Sequence, residues 1–256
     1  MTNSLDGRVA IVTGASRGIG KALAVGLAAR GAVIVCAART VAEQPGGLPG
    51  TVSATADAIE RAGGRALAVR CDVGSADDLH GLVDVTLQRF GRVDVLVNNA
   101  MEPSRGRFDQ LSLGAWDASM VANVRSLFLL AKLVVPPMAR GGGGSIINIS
   151  SGGADHAATA AMPPGFLAYA VAKAAMERFT TALAPELAGR GIAINALRPG
   201  AVKTELATRE LGDQFDWTGW SSPEAVVPAV AWLAEQRAPG FTGRIVDVGE
   251  FGSTWP

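Results

Sequence analysis

Seven runs of β-branched and apolar residues recur at intervals of a few tens of residues: Val9–Thr13, Val33–Ala37, Ala66–Cys71, Val93–Val97, Ser145–Ile149, Ala193–Leu197 and Ile245–Val248. Apolar side chains fill these runs continuously instead of alternating with polar ones. That is the pattern of strands buried on both faces, as in a parallel sheet covered by helices above and below. Between them lie stretches of helical spacing, bounded by the residues that start and stop helices. Gly18–Arg30 closes at Gly31, Thr51–Ala62 closes at Gly63-Gly64, and Ser75 is placed to cap a helix running toward Phe90-Gly91. Trp116–Met138 reads as one long helix, its most apolar stretch Leu127–Val135 broken by Lys132 and stopped by Pro136-Pro137. Tyr169–Leu187 reads as another, which Pro185 should kink or end. Strand and helix alternate with no internal repeat and no linker. The pattern predicts a doubly wound α/β architecture in a single domain over residues 1–256, a parallel seven-stranded sheet flanked by helices.

Composition agrees with that core. Of 256 residues 48% are apolar and 18% charged, enough to bury a large interior and too apolar for disorder. Lys+Arg 23 balances Asp+Glu 23, so no net field attracts a phosphate polymer or an anionic bilayer, and neither nucleic acid nor membrane is an expected partner. Leu127–Val135 falls short of the roughly 20 residues a membrane span needs. Met1–Asp6 has neither a basic start nor an apolar stretch, so no signal peptide is expected and the protein reads as soluble and cytoplasmic. Cys36 and Cys71, both in apolar runs, fit reduced buried thiols better than a disulfide. His80 and His156 are the only histidines and lie far apart, so no metal site is expected, and His156 reads as a solvated loop residue.

The first run leads into Thr13-Gly14-Ala15-Ser16-Arg17-Gly18-Ile19-Gly20 and then a helical pattern. Three glycines at a strand-to-helix turn let the backbone bend sharply, approach a ligand closely and aim helix N-terminal N–H groups at a phosphate. The octet resembles the TGxxxGxG fingerprint of the short-chain dehydrogenase/reductase family. Further marks of that family follow in order: Asn98-Asn99-Ala100 after the fourth strand, Asn123 in the next helix, Ser150-Ser151 after the fifth strand, Tyr169-Ala-Val-Ala-Lys173 opening a helix, and Pro199-Gly200 after the sixth strand. They span essentially the whole chain.

The resemblance implies a Rossmann-type domain that binds a nicotinamide dinucleotide through Gly14, Ser16, Arg17, Gly18, Ile19 and Gly20. Asp72 and Val73 would border the adenine, Asn99 and Ala100 the ribose, and Pro199, Gly200, Val202 and Thr204 the nicotinamide side. NAD-selective sites of this kind carry an acid at the end of the second strand, which bonds the ribose hydroxyls and repels a 2′-phosphate. Here Ala38 stands in that place, with Arg39 beside it and Arg17 in the glycine turn, two cations suited to a 2′-phosphate. NADP(H) is therefore the preferred cofactor, with NAD(H) the alternative.

Tyr169 is the only tyrosine, and Lys173 follows one helical turn later, so phenol and ammonium share a helix face. A phenol has a pKa of about 10, too high for a base at neutral pH, but positive charge from Lys173 and an oxidised nicotinamide favours phenolate. The resemblance assigns Tyr169 as general acid/base and Ser151, with Ser150 as fallback, to polarising the substrate oxygen. It assigns Lys173 to the phenol and the nicotinamide ribose, and Asn123 to a water and proton relay behind Lys173.

The chain departs from the family pattern in three places. Ser151 and Tyr169 are 18 residues apart, longer than usual, the excess lying in Gly152–Gly165. Met101 replaces the usual glycine after Asn-Asn-Ala, and the last strand ends as Asp247-Val-Gly-Glu250. The segment 201–222, with Phe215, Trp217 and Trp220, corresponds to the family's mobile substrate lid; its aromatics read either as apolar lining for a hydrophobic ketone or secondary alcohol, or as packing for an interface or the core. Thr40–Gly50 reads as an ordinary surface turn. The leading reading is an NADP(H)-dependent carbonyl reductase or alcohol dehydrogenase, a homotetramer or homodimer through its two long helices. A silent NADP(H)-binding scaffold and an enoyl or imine reductase are the alternatives.

Overall fold

The computed structural model describes residues 4–157, 164–212 and 214–256. Seven strands appear where the apolar runs place them, with ends shifted by at most two residues: β1 Val9–Thr13, β2 Val33–Ala38, β3 Arg65–Arg70, β4 Val95–Asn98, β5 Gly144–Ile149, β6 Ile192–Arg198 and β7 Ile245–Asp247. All pair in parallel in the order β3-β2-β1-β4-β5-β6-β7, so the order reverses between β1 and β4. A ligand cleft is expected above the carboxyl ends of the strands at that reversal.

Burial on both faces holds for the central strands and fails at the edges. Every residue of β1, β4 and β5 is buried, whereas β3 carries Arg65, Ala68 and Arg70 in solvent and Ile245 of β7 is exposed. An edge strand needs cover on fewer sides, and charge there discourages pairing with another chain. Successive residues of β1 feed opposite layers. Ala10 and Val12 join the core beneath α1 (Gly18–Ala28) and the late helix Val227–Glu235, while Val9 and Ile11 join the core of the opposite face.

α2 (Val52–Arg61) and α3 (Ala76–Phe90) begin at Thr51 and Ser75, whose hydroxyls accept from Ala54 and Asp78 N–H, and α3 stops at Gly91. The long helix is less simple than its pattern predicts. α4 (Leu113–Met120) passes through a π-helical turn, Val121–Arg125, into α5 (Ser126–Arg140) without a break. Pro136-Pro137 does not stop it. The final turn closes past the prolines because Gly141 and Gly143 N–H groups bond the Pro137 and Met138 carbonyls. By length and composition alone, the 28 residues Leu113–Arg140 reach a membrane's width, yet Leu127, Leu130, Val134 and Met138 are buried in the core. Pro185 likewise sits inside α6 (Leu167–Ala188), three residues short of its end. α7 (Glu205–Leu211) and α8 (Val227–Glu235) complete the chain. Cys36 and Cys71 are free and buried, and burial pushes both thiols up to about 12.

Candidate active site

A cleft of about 310 Å³ opens above the β1/β4 reversal. At one end lies the glycine turn. Gly14 adopts φ +68°, and a Cβ there would come within 2.7 Å of Asn99 Nδ2. A Cβ on Gly20 would drive into the Gly14 carbonyl oxygen and Asn99 Nδ2. The turn is held in that shape by Asn99, whose amide donates to Thr13 O at 2.9 Å, and by Thr13 Oγ1, which accepts from the Asn99 and Ala100 N–H groups at 3.0 Å each. α1 opens on the cleft without a side-chain cap or a first-turn acid, unlike α2, α3, α4 and α7, which Thr51, Ser75, Ser112 and Thr204 cap. A bare helix N-terminus behind a turn that admits no side chain suits the phosphates of a dinucleotide. The residues present therefore fit the cofactor.

Most of the residues singled out in the sequence meet on this cleft. Gly14, Ser16, Arg17, Gly18, Ile19 and Gly20 line one end, Ala38 and Arg39 the rim beyond β2, and Asp72, Val73, Asn99 and Ala100 the adjoining wall. Tyr169, Lys173, Pro199 and Thr204 line the other end. Gly200 and Val202 do not line it: Val202 is buried and bridges to Ser221, so its side chain serves the core. Ser150 lines the cleft, Ser151 follows it in the turn after β5, and the Ser151 hydroxyl accepts from Gly153 N–H at 3.1 Å and hydrogen-bonds the Tyr169 phenol, the group that does line the cleft.

Two expectations, for Arg17 and for the segment it holds, need correction. Arg17 is spent on the segment after β2: its guanidinium donates to the carbonyls of Pro49 (2.8 Å), Leu48 (3.1 Å) and Gly50 (2.8 Å) and to Thr40 Oγ1 (3.3 Å). The 40–50 segment is accordingly no free turn but a wall that brings Thr40 and Leu48 to the cleft. Arg39 is left as the exposed cation there, 3.7 Å from Glu102. Asn123, fully buried in the π-helical turn, donates to Glu102 O and Ser119 O at 3.1 and 2.9 Å. Of the two readings offered for Phe215, Trp217 and Trp220, the structure shows packing, and they are not among the residues that line the cleft. They pack edge to face on one another at 5.0–5.6 Å, with the Lys203 ammonium 4.9 Å above Trp217.

The chemical end rests on α6. Lys173, 3% exposed, donates from Nζ to Ile149 O at 2.6 Å, and burial pushes its ammonium down to about 8 against the opposing charge of Glu177. Burial also pushes the Tyr169 phenol up, against the Ser151 hydrogen bond and the Arg105 charge that hold it down. The lowering comes from Ser151 and Arg105 and not from Lys173, and desolvation outweighs both in the protein alone. Arg105 was invisible in the sequence. Its guanidinium stacks 3.7 Å over Phe166, lies 5.7 Å from the Tyr169 ring and pairs with Glu210 of α7 at 3.0 Å. Met101, Glu102, Pro103, Glu205 and Leu206 were also missed as cleft residues. Glu205 Oε2 is buried there with no hydrogen-bond partner among the described residues. Of the insertion Gly152–Gly165, residues 158–163 lie outside the described residues. Gly152–Ala154 form a short 3-10 turn, and Gly165 O accepts from Gly106 N–H.

The sequence profile described as short chain dehydrogenase matches residues 8–214. A 3-oxoacyl-[acyl-carrier-protein] reductase of Synechocystis sp. is 36% identical over 255 residues, covering 96% of each chain. A 7α-hydroxysteroid dehydrogenase of Escherichia coli is 30% identical over 256 residues, covering 97% of this chain and 95% of its own. A crystal structure from Beutenbergia cavernae, named for an NAD(P)-dependent gluconate 5-dehydrogenase and holding NADP at low occupancy, superposes with a TM-score of 0.82 at 33% identity and covers 97% of both chains.

Proposed function

The chain belongs to the short-chain dehydrogenase/reductase family, and from that membership we propose an NADP(H)-dependent oxidoreductase that interconverts a ketone and a secondary alcohol, with apolar substrates favoured. A nicotinamide-dependent dehydrogenase or reductase is what the family establishes. The observation that carries the finer reading is one cleft with the bare α1 terminus at one end and Tyr169 and Lys173 at the other, with Ser151 hydrogen-bonded to the phenol.

A bound NADP(H) supplies or takes up the hydride. Gly14, Gly18, Ile19 and Gly20 would hold its phosphates, Asp72 and Val73 its adenine, and Asn99, Ala100 and Lys173 its ribose hydroxyls. In the reducing direction Tyr169, kept protonated by burial, gives its proton to the carbonyl oxygen, while the Ser151 hydroxyl bonds the same oxygen as negative charge grows on it. The Lys173 ammonium, one turn along α6, stabilises the phenolate left behind. Assembly of two or four copies through the long helices belongs to this reading, supported by the exposed Phe128 of α5 and Leu167 and Val171 of α6.

Two measurements follow. With Ala38 at the end of β2 and Arg39 next to it, a carboxylate at position 38 would repel a 2′-phosphate and engage ribose hydroxyls instead. Ala38→Asp should move the ratio of kcat/KM for NADPH over NADH toward NADH by about tenfold or more, since hydrogen bonds to charged groups are worth roughly 1.5–3 kcal/mol. Equal use of both cofactors before and after rules the assignment out. The second concerns pH. Lys173 is charged below about 8 and neutral above it, and the raised Tyr169 stays protonated across that range, so kcat/KM for reduction should decline as pH rises through about 8. A profile flat across that window argues against an ammonium at Lys173. The panel that tests the whole reading follows nicotinamide absorbance over ketones and alcohols with both cofactors; no turnover with any of them, despite cofactor binding, leaves only a binding protein.

A further inference from the structure

One buried acid on the catalytic helix has no place in the chemistry above. Glu177 follows Lys173 by one turn of α6, as Lys173 follows Tyr169, so three consecutive turns present phenol, ammonium and carboxylate. It is 5% exposed. Its Oε1 accepts from Ser150 Oγ at 2.7 Å and from Arg198 Nε at 2.8 Å, and its Oε2 accepts from Arg198 Nη2 at 2.9 Å. Arg198 ends β6, immediately before Pro199-Gly200, and its third nitrogen reaches Asp155 at 3.1 Å and Asp247 of β7 at 3.9 Å. The bidentate pair therefore ties the ends of β5, β6 and β7 to α6 directly behind the reacting groups. A buried ion pair is weakly stabilising at best compared with apolar packing, so its presence here calls for a role beyond stability.

We propose, building on the reductase reading, that Glu177 is a positioning residue: clamped by Arg198, it fixes the Ser150–Ser151 turn and, one helical turn from Lys173, serves as a counter-charge to its ammonium. The first part acts through Ser150, whose N–H is also bonded to Leu197 O at 2.7 Å, so that serine is held at both ends and Ser151 next to it is presented in one orientation. The second part acts through charge. Tyr169 on α6 with Arg105 beside it, Arg198 on β6, Asp155 on the turn after β5 with His156 next to it, and Asp247 at the end of β7 with Glu250 near it are the other titratable groups gathered at this end, and the π-helical turn contributes the neutral Asn123. Of these, the charge that supports Lys173 against burial is that of Glu177.

The test uses the full chain and two readouts. In Glu177→Gln, which keeps the shape and removes the charge, the alkaline limb of kcat/KM should move to lower pH by about one unit and kcat should fall about tenfold, with the KM for NADPH nearly unchanged. Glu177→Asp, which keeps the charge, should return the limb toward its wild-type position. Independently of turnover, 15N-lysine labelling follows the Lys173 Nζ titration directly; Lys21, Lys132, Lys173 and Lys203 are the chain's four lysines, and Lys173→Arg assigns the signal. Its midpoint should drop in Glu177→Gln. An unmoved midpoint in the folded variant overturns the proposal. If that variant does not fold, Ser150→Ala, which breaks one bond of the clamp, should still lower kcat, and wild-type kcat there overturns it. A failure of every ketone and alcohol in the panel would defeat the reductase reading, while the lysine titration would still report on Glu177.

Discussion

Tyr169→Phe should abolish turnover, by a factor of about 10² to 10⁴, the range over which a positioned acid or base accelerates a reaction, while NADPH binding stays close to wild type. The substitution removes one oxygen from a ring that is otherwise packed. Phe166 meets that ring edge to face at 6.2 Å and Arg105 lies over it at 5.7 Å, and both contacts need only the ring. What disappears is the hydrogen bond with Ser151 and the proton itself. No second phenol can substitute, because the chain has one tyrosine. Lys173 holds its bond to Ile149 O and remains available to a ribose. Steady-state rates paired with a fluorescence titration of NADPH separate chemistry from binding. A variant that turns over near the wild-type rate removes Tyr169 from the mechanism, and one that loses both activity and NADPH binding points to a collapsed cleft instead.

Gly20→Ala should act at the opposite end, destabilising the fold by roughly 1–3 kcal/mol and weakening NADPH binding by more than tenfold. The added methyl meets the Gly14 carbonyl and Asn99 Nδ2, and neither can retreat. The carbonyl belongs to the turn between β1 and α1, and the amide is fastened to Thr13 O. The turn must open, and with it the N–H groups presented to the phosphates. Gly81→Ala on α3 is the matched control. A Cβ there meets nothing within 4 Å, so this change should be neutral or stabilise by up to about 1 kcal/mol, as expected for alanine in a helix. Thermal melts and NADPH titrations on the two variants give the comparison. Equal behaviour of Gly20→Ala and Gly81→Ala would show that the tight approach at Gly20 does not matter.

The strands were legible because burial on both faces writes itself as an unbroken apolar run, and β1, β4 and β5 carry it throughout. β3 reads the same way in sequence yet lies at an edge, since periodicity reports side-chain chemistry and not which neighbours a strand acquires. The helix ends defined by Thr51, Ser75 and Gly91 were legible for a local reason, whereas Pro136, Pro137 and Pro185 misled. A proline withdraws one N–H and sterically disturbs one carbonyl, which the last turns of a well-packed helix tolerate. At the site, contiguous motifs singled out Tyr169, Lys173 and the glycine turn, and the structure brings all three to one cleft. Arg105, Glu102, Glu177 and Glu205 reach the cleft or its supports from loops and helix positions that share no spacing with them, and no local pattern marks such residues. Arg17 failed for a related reason. A cation in a glycine turn looks available to an anion, but three carbonyls from a segment some 30 residues on had first claim on it.

That claim has a practical consequence for redesign. Because Arg17 laces Leu48, Pro49 and Gly50 to the glycine turn, the stretch beyond β2 is inherited as one piece with the residue that grips it. Transplanting another protein's residues at 38 and 39 alone would set a foreign pair against a native fence. The portable cassette runs from 38 to 50 and travels with position 17.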